Sequence, residues 1–241
     1  MNDAVQTDTL ATVPAAVRWL AAIAFVLALP LFLILGNVLD VAGDRQFYAD
    51  EFVKYDVGTV TGLNREQLAT VADLFITYLS VPGSHLDYEI TVNGARRPLF
   101  NQKEIAHMED VQKLFGLVRQ SRLVAGSILL ILPLLGVWFG GGLFLPRLGT
   151  LLTIGGILTV VLLGLAGLAS FVDFTEAFVK FHEMAFSNDL WMLDPRTDYL
   201  LMLFPEGFWL DATLRIAGKS ALEAAVLGAV GLGIAYFGVR R

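Results

Sequence analysis

Long apolar runs constrain the fold of this chain more than any other feature of its sequence. A helix needs about 20 mostly apolar residues to cross the hydrocarbon core of a bilayer. Four stretches meet this requirement, and we predict transmembrane helices at residues 17–39, 123–145, 148–172 and 215–239. Hydrophobic residues make up 56% of the 241 positions, which exceeds the share of about 45–50% in soluble domains. The sequence therefore predicts an all-α membrane protein with four transmembrane helices.

The segments outside the predicted spans divide into two tails and two longer connections. Residues 1–16 form an N-terminal tail, and residues 240–241 form a C-terminal tail. The connection at residues 40–122 is long enough to fold as a small loop domain, and the connection at residues 173–214 is an amphipathic aromatic segment. We expect both connections outside the cytoplasm, where together they form a small α+β cap.

Two patterns indicate how the spans pack. Pro146 and Arg147 separate the second span from the third, which predicts a tight transmembrane hairpin. Gly228, Gly231 and Gly233 in the fourth span predict a close helix contact, because small residues let two backbones approach each other.

Basic residues favour one orientation of the four spans. An even number of spans places both termini on one side, and Arg18, Arg147 and the two C-terminal arginines would then be cytoplasmic, as the positive-inside rule prefers. Arg119 and Arg215 lie near span ends on the outer side and oppose this orientation. Charge alone therefore favours cytoplasmic termini without deciding the matter.

Local signals predict helices and a hairpin within the first connection. Asn64 followed by Gln67 is typical of a helix N-cap and its partner. Alternating apolar residues then lead into Asn93-Gly94, a pair typical of a hairpin turn. A hydrophobic staple and a capping box stand at Phe100, Asn101, Glu104 and Ile105. Together they predict a helix that begins at Gln102.

The second connection is unusually aromatic. Phe174, Phe178 and Phe181 recur at helical spacing with charged residues between them, which predicts an amphipathic helix. A helix of this kind is suited to the headgroup boundary of a membrane. Trp191 and Trp209 further along the segment fit an interfacial aromatic belt.

The chain has three histidines, and all of them lie in the two connections. Histidine titrates near neutral pH and is the usual general acid or base. His85 lies in a turn-like segment, which favours an ordinary loop residue. His107 lies between Glu104 and Asp110 on its predicted helix, where the carboxylates either orient a base or pair on a solvated face. For His182, on an aromatic helix face, interfacial anchoring is as good an explanation as catalysis.

The composition argues against several classes of site. The chain has no cysteine, which removes disulfides, thiolate nucleophiles and cysteine-ligated metals. Its net charge is −6 without a basic patch, so no nucleic-acid partner is expected. Neither a Gly-x-Ser-x-Gly elbow nor a phosphate-binding loop occurs. Glu104, His107 and His182 could ligate zinc, but their spacing is not that of a zinc motif, and we predict no metal and no cofactor.

Three motifs together resemble a known family. They are FNQKEIAHMEDV at residues 100–111, FHEMAFSNDLWMLDP at residues 181–195 and DYLLMLFPEGFW at residues 198–209. In these motifs, and in the order and length of its spans and connections, the chain resembles the lipoprotein intramolecular transacylase family. Members of this family are bacterial membrane proteins with four spans.

The resemblance implies an O-to-N acyl shift within a lipoprotein. The partner would be a lipoprotein whose N-terminal cysteine carries a diacylglyceryl thioether and a free α-amine, embedded in membrane lipid. The family moves the sn-2 acyl chain from glycerol to that amine, and the resemblance implies an active site on the outer side of the bacterial cytoplasmic membrane. Its catalytic histidines correspond to His107 and His182, with supporting residues at Glu104, Asp110, Asn188 and Trp191.

The residues agree with this chemistry. Converting an ester into an amide is downhill and needs no ATP or redox cofactor. An intramolecular transfer needs no acyl-enzyme, which fits the missing nucleophile motifs. We expect His107, oriented by Glu104 or Asp110, to be the general base, while His182 stabilises the oxyanion or protonates the leaving oxygen. The reverse assignment stays open at this point.

The two histidines must meet for this mechanism to work. A straight helix would lift His107 about 24 Å above the second span, so we expect a break near Gly116. Two other functions remain open from the sequence, a metal-dependent membrane hydrolase and a non-catalytic membrane partner or assembly protein.

Overall fold

The computed structural model describes residues 13–92, 95–140 and 144–238. The predicted turn at Asn93-Gly94 and the terminal Arg240 and Arg241 lie outside the described residues. The described residues form helices and a single antiparallel pair of strands. In chain order these are α1 (Ala15–Ala42), α2 (Arg45–Lys54), α3 (Val57–Thr61), α4 (Arg65–Ser80), β1 (Glu89–Val92), β2 (Ala95–Pro98), α5 (Gln102–Gly140), α6 (Leu145–Val172), α7 (Phe174–Ala185), α8 (Tyr199–Leu203) and α9 (Glu206–Gly238).

Four helices, α1, α5, α6 and α9, are long and apolar enough to cross a membrane. This confirms the predicted fold class, an all-α membrane protein with four membrane helices and a small two-stranded sheet. The chain divides into two compact units. We call them the membrane unit, made of Met1–Asn37, Gln120–Gly167 and Ala217–Arg241, and the loop unit, made of Val38–Arg119 and Leu168–Ile216.

Helix α5 begins at Gln102, as its capping signals predict. The Asn101 side-chain oxygen accepts from the Glu104 N–H at 3.0 Å, and a Glu104 carboxylate oxygen accepts from the Asn101 N–H at 2.7 Å. The expected break near Gly116 is wrong, because α5 continues without interruption to Gly140. A glycine costs a helix interior only about 1 kcal/mol, and sharp kinks need a stronger cause, such as proline or an inserted bulge.

The loop unit has its own hydrophobic core. The predicted cap of α4 forms in both directions, with Asn64 and Gln67 exchanging two hydrogen bonds of 2.9 Å. The helix then buries Val71 and Phe75, at 0% and 2% exposure. The two strands pair antiparallel with Ile90 opposite Arg97, which confirms the predicted hairpin pairing.

Aromatic rings make up much of this core. Fully burying one such side chain stabilises the fold by about 1.5–3 kcal/mol. Phe204 packs edge-on against Phe75 with ring centroids 4.7 Å apart, and it also contacts Phe208 at 5.0 Å. The other buried rings of the cluster are Phe47, Tyr48, Phe52, Tyr78 and Phe100.

Polar contacts attach the start of α9 to α2 within the loop unit. Asp211 accepts hydrogen bonds from Lys54 and, at 2.5 Å, from the Tyr55 hydroxyl. Gly207 makes this approach possible, since a Cβ there would lie 2.4 Å from the Tyr55 ring. The first turns of α9 are therefore fixed against α2.

Glycines allow α6 and α9 to approach closely in the membrane unit. A Cβ on Gly156 would lie 2.7 Å from the Ala224 carbonyl oxygen, and one on Gly231 would lie 2.6 Å from the Gly149 carbonyl oxygen. The predicted packing role is thus confirmed for Gly231. It is wrong for Gly233, which has no heavy atom of the described residues within 4 Å of its Cβ position.

A buried amide joins α1 to α9 in the same unit. Asn37 is 3% exposed, and its side-chain nitrogen donates to the Ser220 hydroxyl at 3.0 Å and to the Glu223 carboxylate at 2.8 Å. Polar contacts of this kind connect helices in lipid, where apolar surface alone gives little driving force.

Candidate active site

His107 lies on the second turn of α5, where the Asn101 cap sets the helix start. The side chain is buried at 8% exposure. It lies outside the membrane-spanning part of the helix, because the charge-free stretch of α5 begins only at Leu123. The cap therefore places His107 one turn after Glu104, in the part of α5 outside the membrane-spanning stretch.

Glu104, one turn before His107, is almost fully buried at 1% exposure. One of its carboxylate oxygens accepts from the Leu200 N–H at 2.8 Å, and the other accepts from the Asn101 N–H. Both oxygens accept from backbone donors, and no hydrogen bond joins Glu104 to His107 among the described residues, so an orienting role of Glu104 stays a prediction. Burial raises the pKa of Glu104, against the lowering effect of these donors. Glu104 attaches the first turn of α8 to the start of α5.

His182 lies on α7, which begins at an Asp173 cap that accepts from the Glu176 N–H at 2.9 Å. The imidazole is buried at 8% exposure, and its Nδ1 lies 2.8 Å from the Phe178 carbonyl oxygen. A carbonyl can only accept, so Nδ1 must be the donor. In the neutral ring, Nε2 is then the unprotonated nitrogen.

The structure brings the two predicted histidines together. The ring centroids of His107 and His182 are 6.1 Å apart, with 37° between the ring planes. This confirms the expectation that the two imidazoles meet, while their catalytic role stays a prediction. His85 is exposed on its loop, consistent with the interpretation as an ordinary surface residue.

Aromatic side chains surround the pair. Phe186 contacts both imidazoles, edge-on to His107 at 5.2 Å and tilted against His182 at 5.7 Å. Three more rings lie against His182, namely Phe178 at 4.3 Å, Trp191 at 5.2 Å and Phe181 at 5.3 Å between centroids. Rings at these distances displace water from the imidazoles and lower the local polarity.

Burial controls the protonation of both histidines. It lowers the pKa of His107 to about 4, with a further lowering by the charge of His182 and an opposing effect of Asp110. Burial also lowers the pKa of His182, against the raising effect of the Phe178 carbonyl. Both imidazoles are therefore neutral at neutral pH, which a proton acceptor and a neutral N–H donor both require.

The nitrogens of His107 differ from those of His182 in their contacts. The Nδ1 atom of His107 is buried and has no hydrogen-bond partner among the described residues. A buried N–H without an acceptor costs about 1–3 kcal/mol. The tautomer with the proton on Nε2 avoids this cost, so the neutral ring of His107 has its donor at Nε2.

Asp110 and Asn188 lie beside the pair and bind each other. The Asn188 side-chain nitrogen donates to Asp110 at 2.8 Å, and Lys113 donates to the other carboxylate oxygen at 2.9 Å. Both hydrogen bonds lower the pKa of Asp110, and the bond from Lys113 has the larger effect. Asp110 thus acts on His107 through its charge, and its hydrogen bonds connect α5 to the segment that carries Trp191.

Two main-chain groups at the site were not predicted from the sequence. The Leu200 N–H that binds Glu104 left no local signal, because its partner is far away in the chain. The Phe178 carbonyl did leave one, since a polar side chain on a helix can reach the main-chain carbonyl four residues earlier. Among the described residues, no group of three or more histidine, cysteine, aspartate or glutamate side chains could hold a metal ion.

Comparison with known proteins identifies the family of this chain. The family described as lipoprotein intramolecular transacylase Lit matches residues 23–209. An uncharacterized protein of Aquifex aeolicus is 32% identical over 130 residues, which are 54% of this chain and 54% of that protein. The chain thus spans about half the length of this curated relative.

Solved structures share the fold. The membrane integral lipoprotein intramolecular transacylase Lit from Bacillus cereus has a TM-score of 0.75 at 19% identity, covering 94% of this chain and 98% of that chain. A variant of that protein with one histidine replaced by alanine has a TM-score of 0.74 at 18% identity, covering 92% and 95%. The family match includes both histidines of the site and most of the sequence. The chain therefore belongs to the lipoprotein intramolecular transacylase family.

Proposed function

We propose that the protein is an acyltransferase that moves the sn-2 acyl chain of a diacylglyceryl lipoprotein onto the α-amine of its N-terminal cysteine. The observation that carries this proposal is the meeting of two buried imidazoles whose ring centroids lie 6.1 Å apart. Their contacts favour opposite neutral tautomers, with a lone pair at Nε2 of His182 and a proton at Nε2 of His107. One is a proton acceptor and the other an N–H donor, which are the two roles that an amine attacking an ester requires.

His182 is the general base in this proposal. Its Nδ1–H is held by the Phe178 carbonyl, so the lone pair is at Nε2. The same hydrogen bond stabilises the imidazolium that forms when Nε2 accepts a proton. The α-ammonium group of the substrate has an ordinary pKa of about 7.7–8.0, so a fraction of it is the neutral amine near neutral pH. This neutral amine attacks, and its nitrogen passes a proton to Nε2 of His182 as the bond to carbon forms.

His107 is the electrophilic partner. Its low pKa keeps the ring neutral, and its Nε2–H donates to the oxyanion of the tetrahedral intermediate. This assignment is the reverse of the one preferred from the sequence, in which His107 was the base. Its support is the buried Nδ1 of His107, which has no acceptor within the described chain for the second proton of an imidazolium.

The transfer itself is balanced without a further reactant. The amine nitrogen bonds to the ester carbonyl carbon, and His182 takes the amine proton. The tetrahedral intermediate then collapses, the bond from carbon to the glycerol oxygen breaks, and His182 returns the proton to that oxygen. The products are an amide and a free glycerol hydroxyl within the same molecule.

Confinement supplies most of the rate enhancement in this scheme. Holding amine and ester together replaces a bimolecular encounter, which lowers the barrier by about 7–11 kcal/mol. The rings of Phe178, Phe186 and Trp191 surround the imidazoles and exclude water that would hydrolyse the ester. The site is expected on the outer side of the bacterial cytoplasmic membrane, facing membrane lipid.

Replacement of either histidine tests the proposal. We expect His107→Ala and His182→Ala to lower lyso-lipoprotein formation by about 10²-fold or more, while His85→Ala has no effect. Mass spectrometry of lipoprotein N-termini, in cells that contain each variant, measures the product. Wild-type amounts of product from both site variants would contradict the proposal, provided that all variants reach the membrane in equal amount.

Glutamine variants separate the two roles. Glutamine has an N–H donor but is not a base near neutral pH. We expect His107→Gln to retain more activity than His107→Ala, and His182→Gln to be as inactive as His182→Ala. The opposite pattern would make His107 the base.

A further inference from the structure

We propose that Asp110 and Asn188 form a positioning pair. The pair holds two aromatic rings of the site, Phe186 and Trp191, against the two imidazoles. This inference rests on the proposed function and identifies residues that act on the reaction through others. Neither side chain hydrogen-bonds to an imidazole within the described part of the chain. Apart from the charge of Asp110, which opposes the lowering of the His107 pKa by burial, their contribution comes through the segment that they attach to α5.

The contact joins two elements that are far apart in sequence. The Asn188 side-chain nitrogen donates to Asp110 on α5 at 2.8 Å. The Asn188 side-chain oxygen accepts at 3.0 Å from the Leu190 N–H two residues later. One amide therefore uses both of its ends, one to reach α5 and the other to fix its own turn.

The turn lies between the two rings that cover the histidines. Phe186, two residues before Asn188, packs edge-on against His107 at 5.2 Å. Trp191, three residues after Asn188, lies 5.2 Å from His182 with 34° between the ring planes. Movement of this turn would displace a ring from each imidazole at once.

A second contact holds the segment beyond Trp191. Lys103 of α5 donates to the Met192 carbonyl. Trp191 thus lies between two attachments to the same helix, one a side-chain pair at Asn188 and one a main-chain carbonyl. The carbonyl contact does not depend on the identity of residue 192, whereas the Asp110–Asn188 contact can be exchanged by mutation.

Exchange of the two side chains is the sharpest test. Asn188→Asp places two carboxylates opposite each other, and we expect it to lower lyso-lipoprotein formation about tenfold. The double exchange of Asp110→Asn with Asn188→Asp restores a donor and an acceptor, and Asp at 188 still accepts from the Leu190 N–H. We expect this double variant to recover to within about threefold of the wild type. A double variant no more active than Asn188→Asp alone would overturn the proposal.

Two controls separate positioning from direct chemistry. Lys113→Ala removes the other partner of Asp110 and leaves Asn188 bound, so activity should stay at the wild-type level. Asp110→Asn alone keeps an oxygen acceptor for Asn188 and should retain most activity. If Asp110→Asn instead abolished activity and the double exchange did not restore it, the carboxylate would act directly and the positioning role would be wrong.

A readout without substrate distinguishes this inference from the proposed function. The two single variants and the double exchange are also compared by thermal unfolding in detergent. If the change in unfolding temperature of the double exchange differs from the sum of the two single changes, the contact between Asp110 and Asn188 is supported. If the wild-type protein also forms no lyso-lipoprotein, the proposed enzyme function is contradicted while the contact stands. Additive unfolding temperatures, together with additive losses of activity in an active enzyme, would contradict the positioning pair alone.

Discussion

Burial alters the chemistry of His107 more strongly than any single neighbour does. It is the largest cause of the lowered pKa, ahead of the charge of His182, and it outweighs the nearby Asp110 carboxylate. The folded state therefore resists protonation of this imidazole, whereas the unfolded chain accepts a proton near the ordinary pKa of about 6.5. Stability must then depend on pH through this residue.

The direction of that dependence follows from the number of bound protons. Between pH 6.5 and the lowered pKa of about 4, the unfolded chain binds more protons than the folded chain, so stability falls as pH falls. We expect the unfolding temperature in detergent to decrease across this window, and to decrease less in His107→Gln. His85→Gln, which alters an exposed ring, is the matched control. An equal decrease in His107→Gln and the wild type would contradict the assignment.

The sequence indicated the two histidines but not their contacts. The local pattern alone left a structural role open for each histidine, and the resemblance of the three motifs to the family is what favoured the pair. The partner of Glu104 could not be predicted, since a bond to the Leu200 N–H depends on how distant segments fold together. The role proposed for His107, an N–H donor to the oxyanion, could not be predicted either. It depends on which ring nitrogen is buried.

Helix starts were the most predictable elements. The caps at Asn64 and Asn101 join residues three positions apart, so residue spacing alone specifies both bonds. The continuity of α5 through Gly116 was not predictable in this way. The expected break was inferred from the height of a straight helix above a membrane, and no local signal supported it.

The contact between α6 and α9 gives a prediction at the level of elements. Alanine at Gly156 would bring a Cβ within 2.7 Å of the Ala224 carbonyl oxygen and 3.1 Å of Gly228 Cα. Because both neighbours are backbone atoms, the helices must separate, and we expect a destabilisation of about 1–3 kcal/mol. Thermal unfolding of the purified protein in detergent measures this change.

Gly164 on the same helix is the control for this variant. Its Cβ position has no heavy atom of the described residues within 4 Å. Gly164→Ala should therefore leave stability unchanged, or raise it by up to about 1 kcal/mol through the higher helix propensity of alanine. Equal effects of the two variants would show that helix propensity, and not the helix contact, determines the result.

For the molecule as a whole, hydropathy predicted the four long helices because only a closed backbone hydrogen-bond network can cross lipid. The first strand was predictable from its alternating apolar residues and its pairing partner from the Asn-Gly turn signal, but the composition of the two compact units was not predictable. The loop unit combines residues 38–119 with residues 168–216. Such a combination depends on long-range packing, which no local pattern encodes.

Orientation in the membrane is a prediction for the intact protein. The chain contains no cysteine, so single cysteines can be introduced without a modified background. Thr70 is exposed on α4 of the loop unit, and Thr7 lies in the predicted cytoplasmic tail. We expect an impermeant thiol reagent to label Thr70→Cys in intact cells, and Thr7→Cys only after permeabilisation. Labelling in the opposite order would place the loop unit in the cytoplasm.

The acceptor that fixes the tautomer of His182 is part of the main chain. No substitution at Phe178 can delete it, so the aromatic surroundings can diverge between relatives while the proton stays on Nδ1. An alanine scan would never identify this carbonyl, although the proposed chemistry depends on it. Only a substitution that unwinds α7 between Phe178 and His182, such as a proline in that turn, would remove this hydrogen bond and allow the other tautomer of the imidazole.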